Sequence, residues 1–251
     1  MSMQRYALFL DFDGTLVDIV PTPDAVVVSD ELRETLCALR ERFDGALALV
    51  SGRRIDNIDA FMAPHQFDVG GLHGLEIRIA GKFLERPVSD RAGLNAIAGH
   101  LSKRLIEWPG AMLEDKEHSL AVHWRMAPEA GPTLADLMEE ATASLGHDYR
   151  LQRGKSVAEI LPAHADKGRA IEAILNEAPY KDRTPIFFGD DATDEDGIRI
   201  VNSRGGLSVN VGARSSAAMF REPDPHYVRA RLRGWAQVLP EDFTADLRGA
   251  D

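Results

Sequence analysis

Four clusters of polar residues interrupt the apolar runs of this chain, and each has the makeup of part of a reaction centre. The first, Asp11-Phe12-Asp13-Gly14-Thr15, directly follows Tyr6-Ala7-Leu8-Phe9-Leu10. Two carboxylates two residues apart at the end of an extended segment project to the same side. Asp-Gly is also a turn dipeptide, but a hairpin needs a partner strand, and Leu16-Val17-Asp18 runs into the proline-bearing stretch 19–23. An EF-hand fails too, because its glycine belongs at the sixth loop position and its last ligand is an acid at the twelfth. The pattern D-x-D-G-T would arise by chance on the order of a few times in a thousand chains of this length, which favours chemistry over a plain turn. The second cluster is Ser51-Gly52-Arg53, after the apolar run 45–50. Ser-Gly is a generic strand terminator and N-cap, but its hydroxyl and backbone N–H groups would also suit a phosphate oxygen at a helix N-terminus. The third is Lys167-Gly168, at the opening of a helix, where the dipole disfavours a cation. It is either a solvated surface lysine or a lysine reaching a bound anion. The fourth is Gly189-Asp190-Asp191-Ala192-Thr193-Asp194-Glu195-Asp196, with five acids among the seven residues 190–196. Some favour the first turn of the next helix, but so many carboxylates at the end of a buried strand repel one another unless a cation joins them. Oxygen-only ligands point to Mg2+.

The elements that must carry these clusters follow from hydrophobic periodicity. Tyr6–Leu10 reads as a buried strand, 29–43 as a helix with Leu32, Leu36, Leu39 and Phe43 on one face, and 45–50 as a second strand. Strand, helix, strand predicts a right-handed βαβ unit and a parallel sheet. Towards the C-terminus the pattern predicts a helix over 166–178, a strand over 185–188, a short helix over 194–201, a strand over Leu207–Val211 and a helix over 225–239. The middle differs: helix 91–108, strands 111–114 and 119–124, helix 132–145, strands 149–152 and 156–161. That αββαββ order suits an antiparallel sheet with helices on one face. The fold class is therefore α/β: a Rossmann-like parallel-sheet core, residues 1–87 and 163–251, with an inserted α+β cap, residues 88–162, hinged near Pro87 and Pro162. In an open parallel sheet, ligands bind beyond the carboxyl ends of the strands, where all four clusters fall.

Composition sets limits. The chain has 251 residues, 29 Lys+Arg against 40 Asp+Glu and a net charge of −11, which argues against nucleic acid or an anionic membrane as partner, since both want a cationic face. One cysteine excludes an internal disulfide framework and a cysteine zinc cage; Cys37, at helical core spacing beside Leu36 and Leu39, is expected to be a buried apolar residue. The N-terminal apolar run is too short for a signal peptide, and no stretch approaches the ~20 apolar residues of a membrane span. A cytoplasmic, monomeric protein is expected.

In this order and at these strand ends, the four clusters resemble the motifs of the haloacid dehalogenase superfamily of phosphatases, across the whole core. The resemblance implies that Asp11 attacks phosphorus and forms an aspartyl-phosphate, while Asp13 protonates the leaving oxygen and then activates water. It implies that Mg2+ is held by Asp11, the Asp13 backbone carbonyl and Asp190, with Asp191 and Asp194 as supporting or additional ligands. Ser51 and Lys167 would hold the phosphate oxygens, with Thr15 placed nearby and Arg53 at the substrate.

An α+β insert between the second and third clusters resembles the sugar-phosphatase branch. Charged residues on the solvated face of a small sheet are routine. However, Glu114-Asp115-Lys116, His123-Trp124-Arg125, Gly154-Lys155-Ser156-Val157-Ala158-Glu159-Ile160-Leu161-Pro162 and Asp166-Lys167-Gly168-Arg169-Ala170, with the fourth cluster, look like the trehalose-6-phosphate phosphatase family. By that resemblance Glu114, Lys116, Arg125, Lys155 and Glu159 bind trehalose hydroxyls, Lys155 and Glu159 being four apart and so on one side of a strand. The pair Gly71-Leu72 before His73-Gly74 departs from the family pattern and leaves His73 open between a site role and a structural one. The alternatives are another sugar-phosphate phosphatase, a phosphohexomutase, or, from a different class, a non-catalytic phosphosugar sensor.

Overall fold

The computed structural model describes residues 5–85 and 91–249. The chain divides into two compact units, Met1–Arg86 with Asp166–Asp251, and Pro87–Ala165. Of the two expected hinge prolines, Pro87 lies outside the described residues and Pro162 is the last residue of a strand.

The first unit begins with β1 (Tyr6–Leu10), α1 (Asp30–Arg42), β2 (Leu47–Val50), α2 (Ile55–Met62), β3 (Asp68–Gly71), β4 (Glu76–Ile79) and β5 (Lys82–Glu85). β1 is apolar throughout because both of its faces are covered. Leu8 and Leu10 pack with α1, and Ala7 and Phe9 pack on the opposite side. Fully burying each large side chain contributes about 1.5–3 kcal/mol. α1 starts where the Ser29 hydroxyl accepts the Leu32 N–H at 3.2 Å. Acids lie in its first turn and arginines in its last, as the macrodipole favours. Leu32, Leu36, Leu39 and Phe43 are buried as their spacing predicts. Cys37, expected in the core, is only half-buried at its edge.

The second unit comprises α3 (Arg91–Leu105), β6 (Met112–Asp115), β7 (Leu120–His123), α4 (Gly131–Ser144), β8 (Tyr149–Gly154) and β9 (Val157–Pro162). Its four strands are antiparallel in the order β6-β7-β9-β8. Leu120 and Val122 of β7 and Ala158 and Ile160 of β9 pack against Leu94, Leu101, Leu134 and Met138, so both helices cover one face. On the other face, Glu114, Ala121, Glu159 and Gln152 stand in register across the four strands.

The chain then completes the first unit with α5 (Lys167–Leu175), β10 (Thr184–Gly189), α6 (Glu195–Ser203), β11 (Leu207–Val211), β12 (Phe220–Glu222), α7 (Pro225–Gln237) and α8 (Phe243–Arg248). The sheet order is β12-β11-β10-β1-β2-β3-β4-β5. All pairings from β12 to β3 are parallel, and β4 and β5 add an antiparallel edge. One apolar layer joins α1, α2, α7 and α8 to the sheet, and the other joins α5 and α6. Strand order reverses at the β1–β10 pair, which opens a crevice at the carboxyl ends of those strands. Among the described residues no helix is long and apolar enough to cross a membrane.

Candidate active site

Along β1, Ala7 and Phe9 face the α5–α6 layer, and strand alternation sends Asp11 the same way. Its side chain is 4% exposed. Lys167 comes from that layer as the first residue of α5, whose N-cap is Asp166, accepting the Gly168 N–H at 2.6 Å. The dipole opposes a cation in that first turn. The opposition is offset by carboxylates, since Lys167 Nζ donates to Asp11 Oδ1 at 2.6 Å and to Asp194 Oδ1 at 2.7 Å. The anion that Lys167 reaches in this structure is thus the protein's own pair of carboxylates.

Asp194 is fully buried and fully used. Its second oxygen accepts the N–H groups of Asp190 and Asp191 at 3.0 and 2.9 Å, tying the loop after β10 to itself. Asp190 is drawn in so closely that a Cβ on Gly14 would lie 2.1 Å from its Oδ2. Gly14 also has φ +83°, so the glycine serves both the left-handed turn and the close approach. Asp11, Asp190 and Asp194 can each offer an oxygen within 4.8 Å of one another. Asp191, expected as a supporting or additional ligand, lies outside this group. The Asp191 carboxylate accepts its neighbour's amide, Ala192 N–H, at 2.6 Å as a cap on the next turn. The Asp13 side chain faces Arg53.

Like charge in a dry site sets the electrostatics. Burial and then the nearby Asp194 push Asp11 well above the ordinary carboxylate range, with Lys167 opposing them. Burial and Asp194 push Asp190 up to about 7, again against Lys167. Burial alone would lower Lys167, but the charges of Asp11 and Asp194 outweigh it and hold the ammonium protonated. Asp11 Oδ2 and Thr15 Oγ1 are buried without a hydrogen-bond partner among the described residues. Orphaned oxygens beside mutually repelling carboxylates are what a hard cation and a bound oxyanion would satisfy.

Arg53, expected at the substrate, has its guanidinium forked onto Asp13, with Nε to Oδ2 at 2.6 Å and Nη2 to Oδ1 at 2.8 Å. It also donates to Pro23 O at 3.0 Å and lies over the rings of Phe12 and Phe61. Ser51 is buried, and its hydroxyl accepts the Arg53 N–H at 3.1 Å. It does not stand at a helix N-terminus as expected. α2 begins only at Ile55, and the Ile55 N–H is already taken by the buried Glu76 Oε2 at 3.0 Å. Leu72 and His73 have φ of 48° and 52°, a left-handed pair that costs about 1–3 kcal/mol per residue. Their N–H groups bond to Arg53 O and Ser51 O at 2.9 and 3.0 Å. A Cβ on Gly52 would lie 2.6 Å from His73 Nε2. His73 therefore packs behind the Ser51–Arg53 loop.

In the second unit, Lys116 Nζ donates to Glu159 Oε2 at 2.8 Å, and the Ser119 hydroxyl donates to Glu159 Oε1 at 2.6 Å. His123 Nε2 meets Glu114 Oε2 at 2.8 Å. Burial raises Glu114, but the His123 hydrogen bond and the Lys116 charge outweigh it and hold the carboxyl below its ordinary range. Lys155 is not on a strand with Glu159. It occupies the turn between β8 and β9, where period-two alternation does not apply, and its carbonyl accepts from Arg125 Nη2 at 3.3 Å. The expected cap residues thus form two groups, Glu114, Lys116 and Glu159 on the sheet face opposite the helices, where Lys116 and Glu159 are buried, and Arg125 with Lys155 at a sheet end. Glu76 and the loop arginine Arg214 were not singled out by the sequence, and His123 stood there only within His123-Trp124-Arg125, with no role of its own. The signal for Glu76 was the alternation of charged and apolar residues in Glu76-Ile77-Arg78-Ile79.

The trehalose-phosphatase family profile matches residues 9–225. The chain is 42% identical over 218 residues to the trehalose-6-phosphate phosphatase of Escherichia coli K12, covering 86% of this chain and 81% of that protein. It is 41% identical over 210 residues to a probable trehalose-phosphate phosphatase of Sinorhizobium fredii, covering 84% and 79%. A solved trehalose-6-phosphate phosphatase related protein superposes with a TM-score of 0.79 at 27% identity, over 92% of this chain and 97% of that one. The chain belongs to the trehalose-phosphatase family and is a phosphoric monoester hydrolase.

Proposed function

We propose that the chain hydrolyses trehalose 6-phosphate to trehalose and inorganic phosphate, through an aspartyl-phosphate on Asp11 and with Mg2+. The observation that carries the chemistry is a buried carboxylate at the end of β1 with one oxygen on Lys167 and the other unpartnered. In the first half-reaction an Asp11 oxygen bonds to phosphorus as the phosphorus–oxygen bond to the sugar breaks, and Asp13 gives its proton to the departing oxygen. In the second, Asp13 takes a proton from water, the water oxygen bonds to phosphorus, and the bond to Asp11 breaks. The Arg53 fork orients Asp13 in the substrate-free chain, as bidentate guanidinium pairs do. Thr15 and Ser51 supply hydroxyls, and Lys167 supplies the cation facing the phosphate oxygens.

Asp11 and Asp190 would hold the metal together with the Asp13 carbonyl, while Asp194, whose oxygens are already engaged, would keep them in place. When bound, Mg2+ would neutralise charge on the phosphoryl group and orient it. Because burial raises Asp11 and pushes Asp190 up to about 7, taking up the metal should displace protons at lower pH and fewer once Asp190 is ionised. Calorimetry in buffers of different ionisation enthalpy should therefore find more proton release at about pH 6 than at about pH 9. Identical proton counts at both pH values would contradict this placement.

The relatives named for trehalose 6-phosphate support the substrate, and so does the charged sheet face of the second unit that carries Glu114, Lys116 and Glu159. Carboxylates and cations side by side suit a neutral polyol, whose hydroxyls both donate and accept. Turnover efficiency should be highest on trehalose 6-phosphate and lower by at least about 100-fold on glucose 6-phosphate and sucrose 6-phosphate, the margin that several lost polar contacts provide. Equal efficiencies on all three would remove the disaccharide assignment and leave the phosphatase.

A further inference from the structure

The loop after β11 lies against the outer side of the acidic loop after β10, and one arginine bridges them. Asn210, at the end of β11, is buried and donates through Nδ2 to the carbonyls of Gly212 and Arg214 at 2.9 and 3.4 Å. Arg221 Nη2 donates to the same Arg214 carbonyl at 2.9 Å, so the Arg214 backbone is held from two directions. Its side chain then spans the gap. Nη2 donates to the Asp191 carbonyl at 3.1 Å and Nε to the Asp190 carbonyl at 3.4 Å. Nη1 donates to Ser215 O at 2.9 Å, and Nη2 also pairs with Glu195. The other Glu195 oxygen accepts the Ala217 N–H at 3.2 Å.

Residues 190 and 191 are thus gripped on both edges, with the N–H groups of both bonded to Asp194 and the carbonyls of both bonded to Arg214. Between these grips the Asp190 side chain runs to the backbone of Gly14, where there is no room even for a methyl group. A small rotation of the 190–191 peptide would move that carboxylate relative to Asp11. We propose that Arg214 is a positioning residue for Asp190, and that it sets the affinity of the site for a divalent cation without touching cation or substrate. The proposal rests on the assignment of Asp11 and Asp190 to metal made above. The sign of its effect separates it from simple electrostatics. A guanidinium beside a cation site repels the cation, so by charge alone deleting Arg214 would tighten metal binding. A positioning role requires the opposite.

The test is Mn2+ binding to the full-length, substrate-free protein, followed by the electron paramagnetic resonance signal of free Mn2+, for wild type, Arg214→Ala and Arg214→Lys. Losing hydrogen bonds of this charge-assisted kind should weaken Mn2+ binding by about tenfold or more in Arg214→Ala. Arg214→Lys keeps the charge but cannot span two carbonyls and a carboxylate, so a loss of severalfold is expected, and this variant gives the answer if the alanine protein does not fold. KM for the phosphosugar at saturating metal should stay within about twofold of wild type, because the substrate contacts are elsewhere. Unchanged or tighter Mn2+ binding in the variants, whatever their melting temperature, overturns the proposal while leaving the metal assignment in place. A wild-type protein that binds no Mn2+ overturns both.

Discussion

Asp11→Asn is expected to lower turnover on trehalose 6-phosphate by a factor on the order of 10^4 or more while the protein stays folded, since losing a nucleophile removes the covalent route altogether. Most substitutions of a buried, hydrogen-bonded acid destabilise, but this site is unusual. Asp11 is raised by burial and by Asp194, so its ionised form works against the fold rather than for it. Asparagine keeps the shape and an acceptor for Lys167, whose ammonium keeps Asp194 as its charged partner. The melting temperature of the metal-free variant should therefore match or exceed wild type. Steady-state phosphate release and a thermal melt on the same preparation check both halves. Undiminished turnover would rule out Asp11 as nucleophile, and an unfolded variant would show that the carboxylate is needed for folding.

Lys167→Met should have the largest effect on stability. The lysine joins two carboxylates that are 4% and 0% exposed. Removing one partner from a buried ion pair costs about 3–5 kcal/mol, because the remaining charge has nothing to face. The loss should depend on pH. Asp190 is pushed up to about 7 in the folded protein and Asp11 is raised by the same burial, so Asp190 is neutral at about pH 5 and the pair costs less there. As pH rises through about 7, Asp190 ionises beside carboxylates that no longer have their lysine, and stability falls. Urea midpoints at about pH 5 and about pH 8 should diverge more in the variant than in wild type, and Mg2+ should recover part of the difference by replacing the missing cation. Midpoints that shift equally at both pH values would mean that Lys167 supports the fold by packing alone. Activity should fall too, since the phosphate oxygens lose their ammonium.

The strands and helices that carry the chemistry were legible because each has both faces covered or one continuous apolar stripe. β1, α1, β2, β10 and β11 all lie where the apolar runs place them. The strands β3, β4 and β5 were not legible: the parallel strand that leads to the antiparallel edge, β3, is Asp68-Val69-Gly70-Gly71, and glycines at a strand end read as a turn. The two acids of the first cluster were visible, but their partners were not. Arg53 lies 40 residues from Asp13, and nothing in its local pattern separates a substrate contact from an ion pair. Ser51 was placed at a helix N-terminus because Ser-Gly so often begins a helix. The chain instead runs on to Ile55, and a buried acid from β4 takes the first amide. Lys155 was put on a strand because its spacing to Glu159 is even, although period-two alternation ends where a turn begins. Arg214 sits in an irregular loop, where neither periodicity nor spacing carries information, and only long-range packing reveals its grip on Asp190 and Asp191.

The covalent route can be tested on a single residue. Protein turning over saturating trehalose 6-phosphate with Mg2+ would be quenched with borohydride, which reduces an acyl phosphate to the alcohol, and the digested peptides sequenced by mass spectrometry. Homoserine at position 11, absent when substrate is omitted, is the expected result. Continued turnover with Asp11 unmodified, or homoserine at another carboxylate, would contradict it.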